Sequence, residues 1–205
     1  MGEIVVISTQ KKLDNEIEIL IQLFEAGLTT LHLRKSRFNR RKMKEFIQQI
    51  PSKFHNRLVL HSHHELALQF DVQGIHFKSK HRKNKLRTQI KKWRYRRKKS
   101  HLTFTTSFHK LVSLDLYNGK YDYVFLSPIF DSITKKDYQS GFTKYNLKKA
   151  IEKTKYNVFA LGGIDREKIN RVNDIGFPGV ALNGCIWTSP NPVQAFIEFK
   201  EAYKF

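Results

Sequence analysis

The chain has 205 residues, 40% of them hydrophobic and 27% charged, enough to bury the core of one domain or at most two small ones. No apolar run approaches the roughly 20 residues of a membrane span, the opening MGEIVVISTQ has neither the basic start nor the long apolar stretch of a signal peptide, and the lone Cys185 excludes an internal disulfide framework, so the cytoplasm is the expected compartment. The anomaly is charge: 38 Lys+Arg against 18 Asp+Glu give a formal net of +20, a balance suited to nucleic acid, anionic membranes or phosphorylated substrates.

The β-branched run 3–8, EIVVIS, predicts a buried strand. A helical pattern follows Asp14, with Ile17, Leu20, Ile21 and Phe24 on one face and Gly27 as its stop. Thr30 to Arg34 is a second strand, followed by a basic helix with Met43, Phe46, Ile47 and Ile50 apolar until Pro51 blocks it. Strands are expected at 58–61, 74–77, 101–107, 121–127, 157–161 and 179–182, with helical or helix-sized connectors between them and a last helix from Pro192 to Tyr203.

Eight short apolar strands, each followed by a helix or connector, predict parallel pairing with both faces covered. The expected architecture is α/β, a compact single-domain (β/α)8 TIM barrel over residues 1–205, with a doubly wound open sheet as the alternative. A barrel puts chemistry at the C-terminal strand ends. The polar residues there are His32 with Arg34, His61, His76, Ser107 with His109, Ser132-Thr134-Lys135, Gly162-Gly163 and Asn183-Gly184.

Two hydroxyls and an ammonium at 132–135 offer donors for a phosphate or pyrophosphate, or simply a solvated loop. Gly162-Gly163 stands between predicted strand seven and a helix, where barrels commonly build a phosphate site, and Asn183-Gly184 follows strand eight; a tight turn needing positive φ explains the same glycines. Arg34 has the fork that holds pyrophosphate bidentately, diluted by four neighbouring cations. Of nine histidines, two or three at strand ends could converge on a metal, but carboxylate partners are scarce, so single acid–base or hydrogen-bonding roles are expected and no metal ligand is assigned. Thirteen cations and no acid lie between Lys78 and Lys99, and the remainder of the chain has a net charge of +7. Trp93 and Tyr95 among those cations suit a single-stranded nucleic-acid groove. The preferred reading is an amphipathic helix with Leu86, Ile90 and Trp93 as its apolar face and the charges solvated.

Taken in order, the motifs resemble the thiamine phosphate synthase and thiazole tautomerase family over nearly the whole chain. DYVFLSPIFDSITK resembles the family's DY-hydrophobic-GP-x-F-x-T-x-TK loop. LHLRKS resembles QLRxK, LALQFDVQGIHF the AL-AxGVHLG strand, ALGGI and GFPGVALNGCIW the AIGGI and G-x-GVAV segments, and TTSFHKL the S-x-H-S strand end. The resemblance implies phosphorylated pyrimidine and thiazole substrates, with no membrane partner, nucleic acid as the lesser expectation and a homodimer compatible with it. It implies that Arg34, Ser132, Thr134 and Lys135 hold pyrophosphate and that His32, His61 and Ser107 face the pyrimidine. Gly162, Gly163, Asn183 and Gly184 would surround the thiazole phosphate.

The departures are local. The second cation of QLRxK falls on Ser36, the family's magnesium aspartate in ND on Ser62, and its aspartate after GVHLG near His81. Losing both carboxylates removes the hard oxygens magnesium prefers, which puts a Mg2+ requirement in question. The leading expectation is a thiamine phosphate synthase, with His109, Lys135, Arg34 and Ser107 as its catalytic group. The alternatives are a tautomerase using His109 as acid/base and an inactive barrel binding nucleic acid or another polyanion through 78–99.

Overall fold

The computed structural model describes residues 3–10, 13–131 and 141–203. Eight parallel strands order themselves β1 to β8 in chain sequence as a closed barrel, as the alternation of apolar strands and helices predicts. Contacts divide the chain into two compact units, 6–106 and a second made of 1–5 with 107–205.

In unit 6–106, strand β2 (Thr30–Leu33) pairs with β3 (Leu58–Leu60), β3 with β4 (Gly74–Phe77), and β4 with β5 (Thr103–Phe108) up to Thr106. Helix α1 (Glu16–Glu25) buries Leu20 and Phe24 of the expected stripe together with Leu23, leaves Ile17 and Ile21 half-buried, and the chain departs through Gly27 at φ 99°. Helix α2 (Arg40–Gln49) starts where the Asn39 side chain accepts from the Lys42 N–H. It ends at Ile50, held extended before Pro51.

The basic segment forms two helices, α3 (Ser79–Lys83) and α4 (Lys85–Lys98), separated by Asn84, whose side chain accepts from the Arg87 N–H. Here the expected packing is reversed. Leu86, Ile90 and Trp93 are 75%, 49% and 59% exposed, whereas Thr88, Lys92 and Tyr95 are buried. The buried cation finds aromatic faces: the Lys92 ammonium lies 5.5 Å from the Phe77 ring centre, while the exposed Arg96 guanidinium lies 5.0 Å from that of Phe104. A long basic side chain can bury its stem and direct its charge at ring quadrupoles, so this helix packs through Thr88, Lys92 and Tyr95.

In the other unit, β6 (Tyr123–Leu126) pairs with β7 (Val158–Leu161) and β7 with β8 (Gly179–Leu182). Helix α5 (Leu111–Leu116) follows β5, and α6 (Lys144–Lys153) is capped by the Thr143 hydroxyl. A short 3-10 turn leads into α7 (Ile169–Ile175), which ends at Gly176 in the left-handed region. After β8 come α8 (Gly184–Trp187) and α9 (Pro192–Ala202), the latter with Asn191 as cap and proline in its first turn. Among the described residues no helix is long and apolar enough to cross a membrane.

Candidate functional site

In unit 6–106, adjacent parallel strands bring three histidines to one place. His32 is the third residue of β2 and His76 the third of β4, while His61 follows β3 directly. The register pairs Leu60 with Ile75, so His61 and His76 stand side by side one residue further on; their rings stack 4.0 Å apart at 11°. His32, level with Val59, reaches across so that its Nδ1 lies 2.8 Å from His61 Nε2. One ligand-type nitrogen from each ring falls within 4.8 Å of the other two.

All three are buried, and burial holds the His32 imidazole down to about 3 and pushes those of His61 and His76 well below the ordinary value. Arg34 and the neighbouring imidazoles add to the shift at His61 and His76. At neutral pH the cluster is three neutral rings. The His76 Nδ1 is 2.8 Å from the Thr105 hydroxyl, which fixes that ring.

The structure brings His32 and His61 together and adds His76, a strand-end residue to which the resemblance gave no role. The signal was available as parity: His32, His61 and His76 share one face of successive strands, as every second residue does. Arg34 is exposed just beyond β2, with its backbone N–H donating to Ser8 Oγ at 2.9 Å. Its neighbour Lys35 does not replace the cation missing at Ser36. It is buried, and its ammonium lies 2.5 Å from a Glu16 carboxylate oxygen, a pair sequence reading missed because Glu16 looks like any first-turn acid. Burial raises the Glu16 carboxyl more than Lys35 lowers it.

The positions matching the family's magnesium aspartates carry no carboxylate. Ser62 presents a buried hydroxyl with no hydrogen-bond partner, and His81 Nδ1 accepts from the Lys78 N–H at the start of α3. A neutral hydroxyl and an engaged imidazole do not fit a hard, oxygen-seeking dication, and no step is derived through magnesium.

The other unit keeps its motifs. Ser127-Pro128 is a cis peptide, and the segment after β6 lies along the end of β7: the Ile129 N–H donates to Leu161 O at 3.0 Å and the Phe130 N–H to Gly162 O at 3.1 Å. Gly162 and Gly163 have φ of 95° and 69°, and a Cβ on Gly163 would meet Asp131 O at 2.3 Å and Phe130 O at 2.5 Å. Both the turn and the close approach require glycine there. Asn183 is exposed ahead of Gly184, where the short α8 begins.

Ser107 lies in β5, and His109, exposed just beyond it, has Nδ1 2.8 Å from Ser127 O. A carbonyl only accepts, so Nδ1 carries the proton and Nε2 is left with its lone pair. His109 is not part of the three-histidine group. Ser132, Thr134 and Lys135 lie outside the described residues. Along α4 an open cavity of about 750 Å³ is lined by Arg87, Ile90, Lys91, Trp93, Arg94 and Tyr95 among others.

Eight parallel strands closed in chain order, with a glycine turn after β7, define a (β/α)8 barrel. The sequence profile of the family described as thiamine monophosphate synthase matches residues 4–186, and the chain belongs to that family. It is 25% identical over 194 residues to the thiamine-phosphate synthase of Dictyoglomus turgidum, covering 92% of this chain and 84% of that one. With the synthase of Salinibacter ruber it shares 31% identity over 88 residues, which span 43% of this chain and 39% of the relative. A thiamine phosphate pyrophosphorylase structure from Bacteroides thetaiotaomicron superposes with a TM-score of 0.76 at 27% identity, over 98% of this chain and 97% of that one. One from Pyrococcus furiosus reaches the same TM-score at 19% identity and shows the shared fold.

Proposed function

We propose that this chain is a transferase of thiamine biosynthesis, joining hydroxymethylpyrimidine pyrophosphate to thiazole phosphate with release of pyrophosphate. The observation that carries this is the family match over 4–186, supported by the two positive-φ glycines in the turn after β7. In this reaction the pyrimidine methylene–oxygen bond breaks, pyrophosphate leaves with the electron pair, and the thiazole nitrogen supplies the new bond. Positive charge grows on the pyrimidine and negative charge on the leaving group, so catalysis consists of holding the anion and surrounding the cation with neutral acceptors.

Arg34 is the group that meets the leaving pyrophosphate, assisted by Lys135, Ser132 and Thr134 as the resemblance implies. The neutral rings of His32 and His61 accept hydrogen bonds from the pyrimidine without opposing its charge, and Ser107 lends a hydroxyl. Gly163 and Gly184 offer backbone N–H groups to the thiazole phosphate, with Gly162 shaping the turn and Asn183 beside it. The protein incubated with both substrates should form thiamine phosphate, and Arg34→Ala should lower kcat by about 10²–10³-fold. No product with or without magnesium would refute the transferase reading.

A second reading rests on the His109 tautomer. With Nδ1–H donated to Ser127 O, Nε2 is a base suited to moving a proton on a thiazole carboxylate phosphate. Tautomer turnover that disappears in His109→Ala, without thiamine phosphate formation, would establish it in place of the first.

A further inference from the structure

We propose that His32, His61 and His76 form a binding site for a borderline divalent transition-metal ion of the zinc type, with three protein nitrogens and one coordination position left for water or a substrate atom. A bound ion would take the lone pairs of His32 and His61 in place of a pyrimidine hydrogen bond, and its uptake is measured without substrates, so the test stands apart from the transferase reading.

The argument begins with ligand chemistry. Where a family aspartate would favour magnesium, this chain has Ser62, and the group that converges nearby in sequence is purely imidazole. Imidazole nitrogens suit zinc, cobalt, nickel and copper, and three of them with an open fourth place is a recurrent zinc arrangement. All three rings are buried, so they are already stripped of water and held by the strands. Each neutral ring has one lone pair, and shifting the proton that His32 Nδ1 and His61 Nε2 share to the donor ring's other nitrogen frees both atoms to bind with no net loss of a proton.

Geometry carries the case further. A tetrahedral ion with bonds of about 2.0–2.1 Å sets its nitrogens about 3.3 Å apart. His32 Nδ1 and His61 Nε2 are 2.8 Å apart, so that pair has only to open by about half an ångström, and one nitrogen of each ring already lies within 4.8 Å of the others. His76 Nδ1 rests on the Thr105 hydroxyl, which leaves Nε2 as its ligand atom and supplies the second partner that metal-bound histidines ordinarily have. One rearrangement is required. A metal lies in the plane of each ring it binds, so the near-parallel rings of His61 and His76 must turn about their soft outer torsion. The positive field of Arg34, felt by both rings, opposes a dication and keeps the affinity below that of a closed structural zinc site.

The test is titration of chelator-treated full-length protein with Co2+ and then Zn2+. The expected result is one tetrahedral visible cobalt spectrum per chain, displaced by zinc and unaffected by excess magnesium. His61→Asn and His76→Gln, checked for folding by circular dichroism, should weaken binding at least tenfold. Thr105→Val should weaken it about tenfold with the ligands intact. His101→Ala, an exposed histidine outside the cluster, should change nothing. Absence of the tetrahedral spectrum, or uptake that survives His61→Asn and His76→Gln and falls with His101→Ala, would overturn the site and leave the histidines as a hydrogen-bonded core.

Discussion

The two units of this chain have treated their shared ancestry differently. In unit 6–106 the ends of β2 and β3 depart from the family pattern, with Ser36 in place of a cation and Ser62 in place of a carboxylate, and His32, His61 and His76 form a neutral buried cluster in which the last two stack. In the other unit the turn after β7 still has both glycines at positive φ, locked by backbone bonds from Ile129 and Phe130. Backbone-built phosphate turns tolerate little change because their donors are main-chain atoms and their geometry excludes a Cβ. A side-chain-built pocket can be rebuilt one residue at a time. The difference sets a main-chain-built turn that matches the family pattern beside a side-chain cluster that departs from it at His32 and His61.

The largest expected effect tests how the altered unit is held together. Removing the Glu16 carboxylate strands the Lys35 ammonium, which is only 4% exposed. Glu16→Ala should therefore cost about 3–5 kcal/mol in denaturant unfolding. The double variant Glu16→Leu with Lys35→Met should recover most of that, since apolar groups of similar size need no partner. If Glu16→Ala unfolds like wild type, the pair does not anchor this unit and α1 is held by Leu20, Leu23 and Phe24 alone.

Next comes the conserved unit. Gly163→Ala places a Cβ at φ 69° against backbone oxygens of Phe130 and Asp131, atoms that cannot swing aside. Strain and overlap together should cost about 2–3 kcal/mol. Gly176→Ala has similar φ but open space around its Cβ, and should cost about 1 kcal/mol. Equal losses at the two sites would show that only the turn, and not the close approach of the β6 segment, makes Gly163 necessary.

Much of the fold was legible because its signals are local. Alternating apolar strands and helices gave eight units, and Asn39, Pro51, Gly27 and Gly176 mark element ends in the structure as their chemistry predicts. The conserved turns were legible for the same reason: Gly162-Gly163 is a local pattern. The histidine cluster was only half legible, since convergence depends on register between β2, β3 and β4, which one strand's sequence does not contain. The burial of Glu16 with Lys35 was not legible at all, because two charges 19 residues apart become a pair only through packing.

The α4 helix was misread for a different reason. Periodicity counts Leu86, Ile90 and Trp93 as an inward stripe, but it assigns no value to a cation meeting an aromatic ring, and the aromatic faces of Phe77 and Phe104 draw Lys92 inward. The smallest expected effect checks this reversal. Replacing Leu86, Ile90 or Trp93 singly by glutamine should change stability by no more than about 0.5 kcal/mol, as for other exposed positions. Tyr95→Ala, on the buried face, should cost about 3 kcal/mol. Should Trp93→Gln prove as damaging as Tyr95→Ala, the helix packs as its periodicity suggests. If it is silent, Trp93 is a surface residue with Arg97 stacked 5.1 Å from its ring, and most of the chain's excess charge belongs to a solvent-facing helix apart from the residues that resemblance assigns to phosphate.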